Sequence, residues 1–385
     1  MTRDNNMQDC TDFLQKLIQT PSVNGKDNEA ELVDIIASEA EKLGLPYKII
    51  AKDTNRPNIF VGEDLESTDA LLFVAHLDTV PVGDEDAWQC SPFSGQIADG
   101  KLYGRGAFDC KGGIALSLYA LKNLADKGLL RKAKFVGVAD EESGADSKLG
   151  LNYLLQQGLR AKAAVYTYGT NDYSRITIGH RGLIRLWVTC HGQSVHSGSR
   201  DWQNKTKGES AIDGIVALLN QLGQLDFPAS NKYFPDYGFV LTPTLIQGGS
   251  GESIVPDNAR VLLDIRTLPD HDNQKIISEI KSVANSLTTG NRTYDIEIKN
   301  CIPGALTDPE SPIVKRAQQI NQKVLGITSK LSGSGPANEG YMLISNGIPT
   351  ITGYGPLGGN FHAANEYVDL DSLPKALSML EELAL

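Results

Sequence analysis

Apolar and polar residues follow two rhythms along this chain, one of helices and one of strands. Phe13, Leu14, Leu17 and Ile18 share one helical face, with Thr11 placed to cap that helix and Pro21 to end it. A second helix is predicted over residues 28–43, with Leu32, Ile35, Ile36 and Leu43 inward and Gly44 as its C-cap. Short strands follow at residues 47–51 and 58–61. Leu71 to Ala75 are then apolar without interruption, which reads as a strand buried on both faces. An amphipathic helix at residues 114–130, a strand at 133–139, a helix at 149–156 and a strand at 163–168 continue the pattern. Strands alternating with helices imply a largely parallel sheet with helices on both faces. Chemistry in such sheets gathers at the carboxyl ends of the strands.

The rhythm changes near Arg175. Residues 176–189 read as a hairpin, followed by a helix at 210–222, strands at 238–247 and 259–266, a helix at 274–286 and a strand at 294–299. This is a self-contained α+β layer. The earlier pattern resumes at about Pro303, with helices at 312–325 and 373–383 and a strand at 350–352. The expected fold class is therefore α/β: a mostly parallel mixed sheet with helices on both faces, plus an inserted α+β domain. The expected domains are residues 1–175 and 301–385 for the first and 176–300 for the insertion.

Composition narrows the function. A length of 385 residues favours two domains. The net charge of −11 argues against a nucleic-acid surface and an anionic membrane. No apolar run approaches the ~18 residues of a membrane span. The stretch MTRDNNMQDC has no apolar core of a secretory signal. Five scattered cysteines without a CxxC fit reduced thiols, and the expected location is cytoplasmic.

Candidate chemistry sits where the strands end. His76 closes the central strand and Asp78 lies two residues on, on the same side of extended chain. An Asp there can accept one imidazole N–H and leave the other nitrogen for a metal. Asp109 lies where a glycine-rich loop enters a helix, a position that favours a carboxylate, and its two oxygens can bridge two ions. Glu141 and Glu142 are adjacent at a strand end, so they are expected to point opposite ways, one to metal and one to water as general base. His362 offers a second nitrogen. Each feature alone is common in proteins without a metal. Their occurrence together, with two of only six histidines in these places, points to a hydrolytic metal site.

Six motifs carry a resemblance. They are AHLDTVPVGD (residues 75–84), LYGRGAFDCKGG (102–113), DEESG (140–144), HSGS (196–199), VPDNARVLLDIR (255–266) and FHAANEYV (361–368). In them the sequence resembles the zinc metallopeptidase family of acetylornithine deacetylase, succinyl-diaminopimelate desuccinylase, aminoacylase and the glutamate carboxypeptidases. The resemblance implies an inserted lid that often dimerises, and two zinc ions. It implies one ion on His76 and Asp109, with Asp109 bridging to a second on Glu142 and His362. It makes Asp78 the residue that orients His76, Glu141 the general base, His196 the lid residue that polarises the scissile carbonyl, and Arg266 a contact for the substrate carboxylate.

The sequence departs from that pattern twice. Tyr168 stands where the family has a ligand Glu or Asp, and a neutral phenol is a poor zinc ligand beside a carboxylate. Asp172, four residues on, is the alternative ligand. At residues 334–340, Gly340 replaces a common arginine, which leaves Asn338 and Glu339 to hydrogen-bond an amide or amine of the substrate. The expectation is a zinc-dependent amidohydrolase that removes an acyl group from an N-acyl amino acid, with one or two zinc ions and cobalt or manganese also suited to the ligands. A metallo-dipeptidase or carboxypeptidase is the runner-up. A non-catalytic amino-acid or peptide binding protein, with an incomplete metal site, is the alternative from another class. The expected partners are a small N-acyl amino acid or dipeptide and a second copy of the chain through the inserted domain, with no nucleic acid and no membrane.

Overall fold

The apolar run Leu71 to Ala75 forms, with His76, the strand Leu71–His76, and all of its residues are buried. The computed structural model that shows it describes residues 3–144 and 147–385. The chain divides into two compact units. The first takes the described residues as far as His180, then Leu306–Ser334 and Asn338–Leu385; the second takes Arg181–Ala305 and Gly335–Ala337.

The first unit is built on a six-stranded mixed sheet. Its order is Tyr47–Ile50, Asn58–Val61, Ala133–Val138, Leu71–His76, Ala163–Tyr166, Thr350–Ile351. The last four strands are parallel, and the first two run antiparallel to their neighbours. Side chains alternate across the central strand. Leu72 and Val74 meet Val136, Val138, Leu151, Leu154 and Leu343 in one layer. The helix Gly112–Asp126 covers the other face and packs against the helices Arg3–Gln19 and Leu373–Ala384. Each such fully buried aliphatic side chain contributes about 1.5–3 kcal/mol.

Two features aim this layer at the strand ends. A Cβ at Gly113 would lie 2.1 Å from the Thr167 carbonyl oxygen, so only glycine lets the helix start this close to the sheet. A small sheet pairs Lys101–Tyr103 with Tyr367–Asp369, antiparallel, and so brings the two loops beside it, residues 104–111 and 361–366, together.

The second unit has its own antiparallel sheet, ordered Val240–Gly248, Asn258–Thr267, Gly182–His191, Thr293–Ile302. Period-two alternation buries Ile184, Leu186, Val188, Val261, Leu263 and Ile265 against Ile215, Leu218, Ile276 and Ile280 of two helices. Those helices start at side-chain caps, Ser210 for Ala211–Leu222 and Asp272 for Asn273–Ser286.

The expected hairpin at residues 176–189 does not form. Arg175–His180 pairs in parallel with Lys330–Ser334 in the first unit, whereas Gly182–His191 enters the sheet of the second. His180-Arg181-Gly182 lacks the Asn-Gly or Asp-Gly chemistry that reverses a chain in two residues, so it continues from one unit into the other. No helix among the described residues is long and apolar enough to cross a membrane.

Candidate active site

Parallel strands place their carboxyl ends on one edge of the sheet, and the site assembles there. His76 is buried, with Nδ1 2.7 Å from the backbone carbonyl oxygen of Asp78. A carbonyl only accepts, so Nδ1 carries a hydrogen, and Nε2 is turned towards Asp109. This corrects the expected role of the Asp78 side chain. Its carboxylate lies 3.8 Å from Nδ1 and is engaged elsewhere. It accepts the amide N–H of Glu141 at 3.1 Å and of Glu142 at 3.0 Å, and the Asn24 side-chain amide at 2.5 Å. Asp78 thus orients His76 through its backbone and pins the glutamate pair through its side chain.

Asp109 comes from the glycine-rich loop, and the Asp109–Cys110 peptide is cis. Its two oxygens serve two histidines. Oδ1 lies 2.8 Å from His76 Nε2, and Oδ2 lies 3.3 Å from His362 Nε2. The loop is held by Glu366, a buried carboxylate. Glu366 accepts from Arg105 at 2.6 Å, from the Gly106 amide at 3.1 Å, and from the amides of Phe108 and Asp109 at 3.0 Å each.

The glutamate pair does not diverge as an extended strand end would require. The strand stops at Val138, and Asp140 adopts a φ of +70°. Ion pairing with Arg56, at 3.1 Å, and a hydrogen bond from Ser143 fasten its carboxylate. The turn keeps both glutamates at the site, and one oxygen of each lies within 4.8 Å of the other and of a His76 nitrogen. Their partners differ. Glu142 Oε1 is 3.2 Å from His362 Nε2, whereas Glu141 Oε1 accepts the Tyr168 hydroxyl at 3.1 Å. The Tyr168 ring stacks on Tyr166 at 4.4 Å between centroids and lies 5.4 Å from the His76 ring.

The charges are tightly coupled. Burial, then the Glu142, Glu339 and Asp109 carboxylates, push the Glu141 carboxyl well above its usual range against the pull of His76. Against the cost of burial, His362 and His76 hold Asp109 below that range. Hydrogen bonds that His362 donates to Asp109 and Glu142 raise it to about 10. Burial and the Glu141 carboxylate push the Tyr168 phenol upward.

Asp109, Glu142 and His362 form one group whose donor atoms suit a metal ion, and His76 joins two others, with Asp109 and Cys110 and with Glu141 and Glu142. Imidazole and carboxylate donors of this kind fit zinc and related divalent ions.

The remaining expected site residues have the following local partners. Asp172 is exposed, and Ser174 donates to both of its oxygens, by its amide at 2.7 Å and by its hydroxyl. It is a turn residue outside the donor cluster. Asn338 is buried and caps the turn after it, accepting from the Gly340 amide at 2.9 Å. Glu339 is fully buried and accepts the Tyr166 hydroxyl. Asn338 and one oxygen of Glu339 are thus engaged internally. Arg266 belongs to the second unit, where Asp264 on the same strand face holds it at 2.7 Å. That pairing, and not a free guanidinium, is what the strand presents. His196 also lies in the second unit, on an exposed turn, and its Nδ1 accepts from the Gly198 amide at 3.0 Å.

Residues 72–385 match the model of the peptidase family M20/M25/M40. The chain belongs to this family. M20 relatives include a succinyl-diaminopimelate desuccinylase of Sulfurovum, 25% identical over 96% of this chain and 97% of the relative. One of the same name from Methylobacterium radiotolerans is 30% identical over 94% and 92%. The M20 metallo-carboxypeptidase Sso-CP2 of Sulfolobus solfataricus superposes over 100% and 99% of the two chains with a TM-score of 0.75 at 19% identity. The YXEP protein of Bacillus subtilis, described as a dinuclear metal binding peptidase, matches over 99% and 98% with a TM-score of 0.70 at 16% identity. At such identities the structures show the shared fold alone. The M20 chain described here is a metal-dependent amide hydrolase.

Reading the sequence missed Asn24, Arg56 and Glu366. Glu366 and Arg105 do lie in the FHAANEYV and LYGRGAFDCKGG motifs, but they are 261 positions apart and neither motif names the other.

Proposed function

We propose that this M20 hydrolase cleaves the linear amide of a small N-acyl amino acid, giving a carboxylate and a free amine. One observation carries the reading: Glu141 and Glu142 share the site, but only Glu142 joins Asp109 and His362, which leaves Glu141 with Tyr168 as its partner. A divalent ion held by Asp109, Glu142 and His362, with His76 on the far oxygen of Asp109, supplies Lewis acidity and makes water more acidic. Glu141 takes a proton from the attacking water as its oxygen bonds to the carbonyl carbon. The C–N bond breaks, and Glu141 returns the proton to the leaving nitrogen. The Asp78 carboxylate keeps Glu141 in place through its backbone amide. His196 we assign, on the resemblance alone, to polarising the substrate carbonyl. His196→Ala then lowers kcat by about 10²-fold or more with little change in metal content; an unchanged kcat removes that role.

On the resemblance alone, which puts a family arginine at this position, the acyl group is narrowed by Gly340. A Cβ there would lie 2.8 Å from Asn338 Oδ1 and from Thr352 Cγ2, so the position has no room for a carboxylate-binding side chain. We therefore expect short acyl groups without a second carboxylate. Comparing kcat/KM across N-formyl, N-acetyl and N-succinyl amino acids and dipeptides tests this. Efficient turnover of succinyl-diaminopimelate overturns the acyl preference, and turnover of dipeptides alone moves the reading to a dipeptidase. Pairing of two chains also stays a proposal. It is supported by Leu245 and Ile246, 52% and 62% exposed on the edge strand of the second unit, and is measured by sedimentation.

A further inference from the structure

Asp109 stands between two sets of donors, and the two sets are unequal. On one side Oδ2 meets His362, which also meets Glu142 at 3.2 Å. Two members of this trio are fixed from behind: the Glu142 amide is held by Asp78 and the Asp109 amide by Glu366. His362 takes a φ of +59°. Three protein donors with a position left for water is the usual composition of a catalytic zinc site.

On the other side Oδ1 meets His76, and there the donors run short. Tyr168 holds the next place. Its ring is clamped between Tyr166 and His76, and its hydroxyl donates to Glu141. Its oxygen keeps lone pairs, but a neutral phenol is a poor ligand for zinc where a carboxylate would carry charge. Cys110 Sγ forms a three-donor group with His76 and Asp109, but it is fully buried and already accepts the His76 amide at 3.2 Å. Glu141 is the base; using it as a ligand would leave no group to take the water proton. What remains is His76 and one shared oxygen of Asp109, short of the three or four ligands that hold zinc.

We infer that this chain works with a single divalent ion, on Asp109, Glu142 and His362, and that Tyr168 has replaced the ligand that a second ion would need. The inference rests on the hydrolase reading above. His76 then serves as a positioning residue. With Nδ1–H donating to the Asp78 carbonyl and Nε2–H donating to Asp109 Oδ1, the doubly protonated ring fixes the carboxylate whose other oxygen binds the ion.

The test is zinc per chain after equilibration of the full-length protein in buffered zinc, with the absorption spectrum of the cobalt(II) form as a second readout. Wild type is expected to hold one ion. Tyr168→Glu restores a carboxylate and is expected to hold two, with a second cobalt spectrum added to the first. His76→Gln keeps its one ion, and His362→Ala loses it. Two ions in wild type overturn the inference and leave the hydrolase standing. So does a Tyr168→Glu protein that stays at one. An ion lost in His76→Gln but kept in His362→Ala places the metal on the wrong side and overturns it too. No ion in wild type overturns it as well, and amide hydrolysis, assayed separately, then decides the fate of the functional reading. If Tyr168→Glu fails to fold by circular dichroism, wild type and the two histidine variants decide the matter alone.

Discussion

At the scale of residues, glutamine differs from glutamate by one group, and that difference isolates proton transfer. In Glu141→Gln the side-chain oxygen still accepts from Tyr168, and the Asp78 bond to the residue 141 amide is untouched. Metal content is expected to stay at the wild-type value while kcat falls by about 10²–10⁴-fold; equal kcat values would remove Glu141 from the chemistry. The same scale shows why some assignments were legible and others not. His76, Asp109, Glu142 and His362 stand out as histidines and acids in unusual company, and the structure gathers all four. The partner of His76 Nδ1 was not legible, because spacing shows which residue is near but not whether its carbonyl or its carboxylate will answer. Asn338 and Glu339 looked available because polar side chains usually lie outside. Only the fold shows them used from within.

At the scale of elements, the loop that carries Asp109 depends on Glu366. Glu366→Gln puts an N–H where one of four donors now points, and it leaves Arg105 without its counter-charge in a buried place. Breaking a buried pair of this kind costs about 3–5 kcal/mol. Denaturant unfolding should show that loss, and metal content should drop with it; a stability within ~1 kcal/mol of wild type would mean that the loop holds itself. A second element joins chain to sheet through Lys134 on the strand Ala133–Val138. Its ammonium donates to the carbonyls of Asp64, Leu65 and Ser67 at 3.1, 2.8 and 2.9 Å, and burial lowers its pKa to about 8. The unfolded chain binds that proton up to about pH 10.4, so between the two values it holds more protons than the fold does. Stability should therefore rise from pH 8 towards pH 10 relative to Lys134→Met, by up to about 1.4 kcal/mol per unit. Parallel curves for the two proteins would refute this. Most helices and the central strands were legible because periodicity is local. The junction at Arg181 was not, since two strands one residue apart look like a hairpin until their partners are known.

At the scale of the whole molecule, the four ligand candidates all come from the first unit, while the second has a core of its own. An ion that binds only the folded state at a hundred times its Kd adds about 2.7 kcal/mol. Chelation should lower the calorimetric transition of the first unit by a few degrees and leave that of the second in place. A single transition that shifts as one would show the two units melting together. The division into an α/β body with an insertion was legible in the sequence as a change of rhythm. Which helper residues cross between distant segments of the body was not, because no local pattern records a contact that the chain closes over 257 positions.

The loop around Asp109 has one more consequence, and it concerns time. His76, Asp109 and the glutamate pair leave the ribosome early, but His362 and Glu366 follow only after the whole of Arg181–Ala305 has been translated. At elongation speeds of ~5–20 residues per second that interval is on the order of ten seconds. Throughout it the nascent chain has its carboxylates but neither the second imidazole nor the clasp on their loop. Until residues 362 and 366 emerge, the growing polypeptide lacks two of the groups on which the proposed chemistry depends.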